Sequence, residues 1–298
     1  MNSFQIKLVA IVFLFSLFGE VNAIDLPGKT IILFKSGIND NRYSAEWKKA
    51  VESRLSESRL DSLASTSRNL TTDEKEWEAL IASKISGWNA MRDSLLVPFR
   101  DTIIPDTIFV MVGFLWKDDG FSYNLNTVCF DVTAMFQNYG SASLLENSNR
   151  IDRIFAHEFT HIIHKNWVKQ NHVVIKNFRD SILWECLYEG VGMYRSLTDK
   201  WFSPDKAIPE ITRNALNELI PILSEKLKII NLRQDFSKVE KERINAGLSR
   251  GPVQKKWGAF PIAIWLSLEA NGNDKNLKKW ISMGPEAVSA LAKKYMKN

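Results

Sequence analysis

The spacing of hydrophobic and polar positions divides this chain into segments that change from strand-like to helical and back. "KTIILF", Lys29 to Phe34, is a short apolar run that predicts a first strand. From about Ser44 the pattern is helical, with Trp47, Val51 and Leu55 at i, i+4 spacing, and a second run places Trp77, Leu80, Ile81, Ile85 and Trp88 on one face. "TTDE" supplies a capping box, Thr71 with Glu74, at the start of that run, and Pro98 ends it. From Thr107, "TIFVMVGFLW", "DDG" and "NTVCFDVTAMF" predict two neighbouring strands separated by a turn and a short polar stretch. A long helix is expected over Ser148 to Trp167, then a polar connection and a second helix over Asp180 to Arg195. "AIPEITRNALNELIPILSEKLKII" and "WGAFPIAIWLSLEANG" predict further helices, the former kinked at Pro221. No internal repeat or low-complexity linker interrupts the series. The expected architecture is α+β, a small mixed sheet packed on a helical lobe. Residues 24–147 would form the helical and β-sheet part, and 148–298 a mostly helical lobe.

The first 23 residues fall outside this scheme. "MNSFQIKLVAIVFLFSLFGEVNA" has one lysine, an apolar run from Leu8 to Phe18, and Val21 and Ala23 at the small-residue positions of a signal-peptidase site. The run is shorter than the roughly 20 apolar residues of a spanning helix. It predicts a signal peptide cleaved after Ala23 and an exported chain, periplasmic or secreted, with no stable membrane insertion afterwards. No cysteine follows the cut directly, which argues against a lipoprotein. Lys7 and Glu20 cancel, so the mature chain keeps the net charge of +5. Basic residues are interspersed with acidic ones, as in "SEKLKIINLRQDFSKVEKER", so there is no concentrated footprint for nucleic acid. Cys129 and Cys186 could pair in an oxidising compartment, but two cysteines do not make a disulfide scaffold.

The candidate chemistry lies in "AHEFTHIIH", residues 156 to 164, which holds three of the four histidines of the chain. His157 and His161 are four residues apart, about 40° of rotation and roughly 6 Å of rise on a helix. Both imidazoles can reach one ion, and Glu158 can address a water on it, the arrangement of "HExxH" zinc hydrolases. Ile151, Ile154, Phe155, Phe159, Ile162 and Ile163 make the helix apolar almost all round, so its polar residues need partners in a buried setting. His164 lies roughly 10 Å along the axis from His157, too far to share the ion, and a supporting or surface role is expected for it. The longer "HExxHxxGxxH" pattern is absent, because His164 and Trp167 occupy its last two fixed positions. His172 sits in the polar connection, so a distant carboxylate is the better third ligand.

"LWECLYEGVGMY", residues 183 to 194, offers two such carboxylates, Glu185 and Glu189, one helical turn apart. Gly190 and Gly192 follow, and because glycine inside a helix costs roughly 1 kcal/mol relative to alanine, two of them point to a close approach by the metal-bearing helix. The alternative is a helix that ends there on a glycine cap.

The pairing of "HEFTH" with "LWECLYEGVGMY" resembles the gluzincin metallopeptidases, in which a "HExxH" helix is followed by a helix donating a glutamate, and is similar to a bacterial family of predicted zinc-dependent proteases. The resemblance covers about residues 106 to 195. It implies a zincin-like fold, a peptidase activity on peptide or protein substrates, and a Zn2+ cofactor held by His157, His161 and Glu189, with Glu158 as general base. It also implies that "NTVCFDVTAMF" is the sheet edge beside the cleft, bringing Cys129 near the site. The spacing from His161 to Glu189 is longer than in typical aminopeptidases, and no "GAMEN"-type element precedes the helix. Glu185 as ligand with Glu189 behind it is the rival register. Cys186 as a thiolate ligand, or as a small core residue, stays open, and so does the oxyanion stabiliser, with Tyr188 and Tyr194 nearby. A binding protein that keeps the site without turnover, and a hydrolase of a non-peptide amide, would use the same residues.

Overall fold

The computed structural model describes residues 30–39, 42–54, 68–114, 117–202 and 208–296. The expected signal segment and its cleavage point lie outside them, as does Leu55. The first apolar run forms β1 (Ile31–Ser36), which buries Ile32 and leaves Ile31 and Leu33 exposed. A two-residue hairpin, β2 (Ile38–Asn39) with β3 (Arg42–Tyr43), leads to Ser44, whose hydroxyl accepts from the Trp47 N–H and caps α1 (Ala45–Glu52). The second apolar run is two helices, α2 (Thr72–Ser83) and α3 (Ile85–Leu95), that meet at Lys84. Trp77, Ile81 and Trp88 share the buried face, as their spacing predicts.

The capping box at Thr71 and Glu74 is present, and Glu74 does more than cap. Burial alone would raise its pKa, but hydrogen bonds from Arg68, from Thr133 and from the Thr71 N–H outweigh that and hold it at about 2. A carboxylate depressed in the folded state adds stability that is complete above its unfolded pKa near 4.5 and is lost as pH falls toward 2. The difference in Tm between wild type and Glu74→Gln, measured in a chelator, will therefore be full at pH 7 and shrink between about pH 4.5 and pH 2. A difference constant across that window would contradict the assignment.

The sheet order is β1-β4-β6-β5, with β4 (Thr107–Gly113), β5 (Gly120–Tyr123) and β6 (Thr127–Asp131). β4 pairs in parallel with β1 and with β6, and β5 runs antiparallel to β6. The two predicted strands are thus neighbours, with two corrections. "NTVCFDVTAMF" is strand only to Asp131, whose carboxylate accepts from the Thr133 and Ala134 N–H groups and starts α4 (Val132–Tyr139). β6 is also an interior strand, so the edges of the sheet are β1 and the short β5, with β5 on the side of β6.

α5 (Leu145–Gln170) and α6 (Phe178–Ser196) include the two predicted helices and extend beyond them. A stacked aromatic column fixes α5 against the sheet: the Trp88 ring lies 4.2 Å from Phe155 and 5.7 Å from Phe130, with Phe159 continuing the stack. Trp88 Nε1 donates to Asp152 at 2.8 Å, tying the column to α5 by a polar contact as well. The remaining helices are α7 (Glu210–Leu232), which runs through Pro221, α8 (Lys238–Asn245), α9 (Ala259–Ala270), α10 (Lys278–Ser282) and α11 (Glu286–Tyr295). Nearly every side chain of α9 is buried, which makes "WGAFPIAIWL" core rather than cleft wall. The whole is mixed α+β and mostly helical, and among the described residues no helix is long and apolar enough to cross a membrane.

Candidate metal centre

The apolar surround of "AHEFTHIIH" buries this part of α5, and His157, Glu158 and His161 come together on its cleft side. Their ligand atoms lie within 4.8 Å of one another, a group that could hold a metal ion. The two Nε2 atoms are 2.9 Å apart with the rings perpendicular. Across from them on α6, Glu189 places one carboxylate oxygen 3.5 Å from His157 Nε2 and the other 3.6 Å from His161 Nε2. Atoms about 2.05 Å from one tetrahedral ion would be about 3.3 Å from each other, so these three side chains are spaced as a ligand set. Glu158 stands slightly back, its Oε1 3.9 Å from His157 Nε2.

The electrostatics express the same convergence. Burial would lower the pKa of His157, but the hydrogen-bonding carboxylate of Glu189 and the charge of Glu158 outweigh it and raise the value. Burial would likewise raise Glu189, yet His161 and His157 hold it well below the ordinary carboxylate range. His157 and Glu189 thus favour each other's charged forms, as do groups that share a cation, whether a proton or a metal.

Gly190 and Gly192 lie inside α6, not at its end, and serve two close approaches. A Cβ on Gly192 would stand 2.8 Å from His161 Cε1 and 3.0 Å from His157 Cε1, so only glycine lets the imidazoles sit against the α6 backbone. Gly190 instead receives Ile262 of α9, 2.5 Å from where its Cβ would be. The expected approach of the metal-bearing helix therefore accounts for one glycine, and the core helix α9 for the other.

Glu185 is placed away from the histidines and accepts a hydrogen bond from Ser249 at 3.2 Å. Burial and the neighbouring Glu189 raise its pKa. Tyr194 is also remote, its hydroxyl bound to Asp274 at 2.5 Å. Tyr188 is at the site: its ring stacks on His161 with centroids 4.0 Å apart, and its hydroxyl neighbours Ser122 of β5. Cys129 and Cys186 are both free and fully buried, and burial pushes both thiols strongly up. Cys186 packs at Gly258, as a core residue. His164 is not a surface residue. It is fully buried among Phe99, Trp184 and Tyr188, and burial, with His161 nearby, pushes its pKa down to about 3. His172 is exposed in the turn after α5, with φ at 50°.

A cleft of about 940 Å³ opens over the centre. β5 forms one rim, so close to α5 that a Cβ on Gly120 would stand 2.6 Å from Ile154 and 3.7 Å from Glu158. Three residues of this cleft carry no signature in the motif. Ser196, at the end of α6, sits 3.5 Å from His157 Nδ1. Lys165, one turn beyond His161, donates to the Ser122 carbonyl and hydroxyl at 3.3 and 2.9 Å. Lys256 enters from the segment before α9. Helical periodicity alone could have found the first two, since 185, 189, 192 and 196 share one face of α6 as 157, 161 and 165 share one of α5.

Compared with known proteins, the chain matches no family model, no curated protein and no solved structure. The functional reading therefore rests on the geometry of these residues.

Proposed function

We propose that this chain is an exported zinc-dependent metallopeptidase of gluzincin type, with residues 1–23 as its signal peptide and peptides or proteins as substrates. The observation that carries the reading is the meeting of His157, His161 and Glu189 at mutual distances of 2.9 to 3.6 Å, with Glu158 beside them and an unpaired strand edge above. Two imidazoles and one carboxylate are the donor set of a catalytic zinc that keeps a position open, and Gly192 provides the space in which the rings converge. Bound there, zinc supplies Lewis acidity, polarising a carbonyl and acidifying a water.

The residues of the chain do the rest. β5 has no strand on its outer side, and an extended peptide would add there as a further strand, displacing the local contacts of Gly120 and Ser122, and bring a backbone carbonyl over the centre. Glu158 takes a proton from the attacking water and delivers it to the departing nitrogen, so that one carboxylate serves as base and then as acid. Tyr188 stacks on the His161 ring and Gly192 leaves the room beside its Cε1 that this position needs.

The first test is metal content. The purified chain, residues 24–298, is expected to carry about one zinc, by the single ligand set described. No metal after zinc is supplied would make "AHEFTHIIH" a core helix and end the reading. Gly192→Ala should weaken zinc binding about 10- to 100-fold, as displaced supporting contacts do in metal sites. Gly87→Ala, where nothing lies within 4 Å of the new carbon, should instead raise stability by about 0.5 to 1 kcal/mol. Equal zinc affinity in the two variants would show that the imidazoles do not depend on the space at Gly192.

A further inference from the structure

We infer that the cleft selects peptides bearing a carboxylate close to the cleaved bond, and that Lys165 is the specificity residue that receives it; this rests on the peptidase reading above. The argument is one of charge and its partners. Of the acidic side chains lining the cleft, Glu158 and Glu189 belong to the metal centre, Asp118 is paired with Arg54 at 2.7 Å, Asp119 accepts from the Tyr139 hydroxyl, and Glu185 accepts from Ser249. Of the basic ones, Arg150 and Arg153 reach Glu146 at 3.7 and 2.6 Å. Among the described residues, Lys165, Arg250 and Lys256 line the same cleft with no carboxylate within ion-pair distance.

Arg250 is exposed, and an exposed cation needs no explanation. Lys165 is different. Its stem is packed into the cleft floor and its ammonium is held by two oxygens of Ser122, on the strand edge that would carry the substrate. Those contacts use two of the three ammonium donors and supply no countercharge. A half-buried ammonium that feels Glu158 and Glu189 only from beyond ion-pair distance is incompletely compensated, and an incoming carboxylate offsets the rest of that cost with a charge-assisted hydrogen bond. The cluster of Glu158, Glu185 and Glu189 would otherwise repel an anionic substrate, so a fixed cation is what admission of one requires. Lys256 lies on the His157 side of the cleft and adds to the same field. The carboxylate can come from an acidic side chain or from a free C-terminus, and the chemistry at Lys165 is the same for both.

Four randomised octapeptide pools separate the sources: a Glu pool and a Gln pool otherwise alike, each made with a free C-terminal carboxylate and with a C-terminal amide. The zinc-loaded enzyme should cleave a carboxylate-bearing pool with kcat/KM at least about tenfold above the Gln amide pool, the ratio expected of one hydrogen bond to a charged group. Preference that follows Glu identifies an acidic side chain, and preference that follows the free terminus identifies a C-terminal carboxylate. Lys165→Met, which keeps the aliphatic stem, should bring the ratio below about twofold, whereas Lys165→Arg should keep most of it. Equal rates on all four wild-type pools would overturn the proposal. So would a Lys165→Met variant that slows every pool in the same proportion, since the lysine would then only tune Glu158. Should no pool be cleaved, the peptidase reading fails, and binding of the fluorescein-labelled pools to zinc-loaded Glu158→Gln protein decides the inference separately. Tighter binding of a carboxylate pool, lost when Lys165→Met is added, upholds the carboxylate site; equal binding of all pools sinks it.

Discussion

Glu158→Gln will retain zinc and lose hydrolysis. The substitution keeps the size of the side chain and removes only its ability to take up and return a proton, and positioned general acid–base groups contribute about 10²- to 10⁴-fold to a rate. Because Glu158 serves two proton transfers in the proposed cycle, the loss in kcat should fall at the upper end of that range. Its carboxylate is set back from the histidines, 3.9 Å from His157 Nε2, whereas Glu189 spans both rings at 3.5 and 3.6 Å, so the metal should not notice the change. Zinc content and kcat on the same preparation give the answer. Full activity in the variant would remove Glu158 from the mechanism, and loss of zinc together with activity would make it a ligand. A wild-type protein that holds zinc, binds peptide and shows no turnover would be a binding protein built on a hydrolase site.

The centre was legible in the sequence because its geometry is mostly local. The 40° offset of His157 and His161 is a property of any helix, and the packing demand on Gly192 showed as a glycine inside an otherwise regular helical pattern. What failed was information carried by pairing. β5 is four residues, "GFSY", in a stretch that read as a turn and a short polar connection, and which strands are edges depends on how all four assemble rather than on any one of them. The end of β6 was misjudged for a local reason: Val132 and Thr133 favour strands, but the carboxylate of Asp131 satisfies the N–H groups of Thr133 and Ala134 and commits the chain to a helix. His164, expected in a supporting or surface role, is not at the surface: it packs as an aromatic ring beside Trp184 and Tyr188, and burial keeps it neutral. Lys256 and Ser249 reach the cleft from more than 50 residues beyond the last motif residue, where nothing in their local sequence marks them.

Glu189→Ala should weaken zinc binding by at least about a hundredfold, because loss of a residue that merely orients a ligand already costs 10- to 100-fold and in the proposed ligand set this one supplies a ligand atom. The variant leaves two imidazoles whose Nε2 atoms are 2.9 Å apart, with Glu158 set back at 3.9 Å as the remaining carboxylate, so a cation held there loses the carboxylate that spans both rings, a bond and a countercharge together. Glu185→Ala makes the opposite prediction. Its carboxylate accepts from Ser249 and has no contact with either histidine, so zinc content should stay near that of wild type. Thermal unfolding supplies a readout independent of activity. Zinc at about a thousand times its dissociation constant stabilises a single-site protein by about 4 kcal/mol. For a chain of this size that raises Tm by about 2 to 4 °C per kcal/mol. Wild type and Glu185→Ala should show the shift, and Glu189→Ala should show little of it at the same zinc concentration. If the order is reversed, with Glu185→Ala losing the metal, the ligand set is the rival register one helical turn earlier, and the role of Glu189 becomes that of a carboxylate orienting His157 and His161.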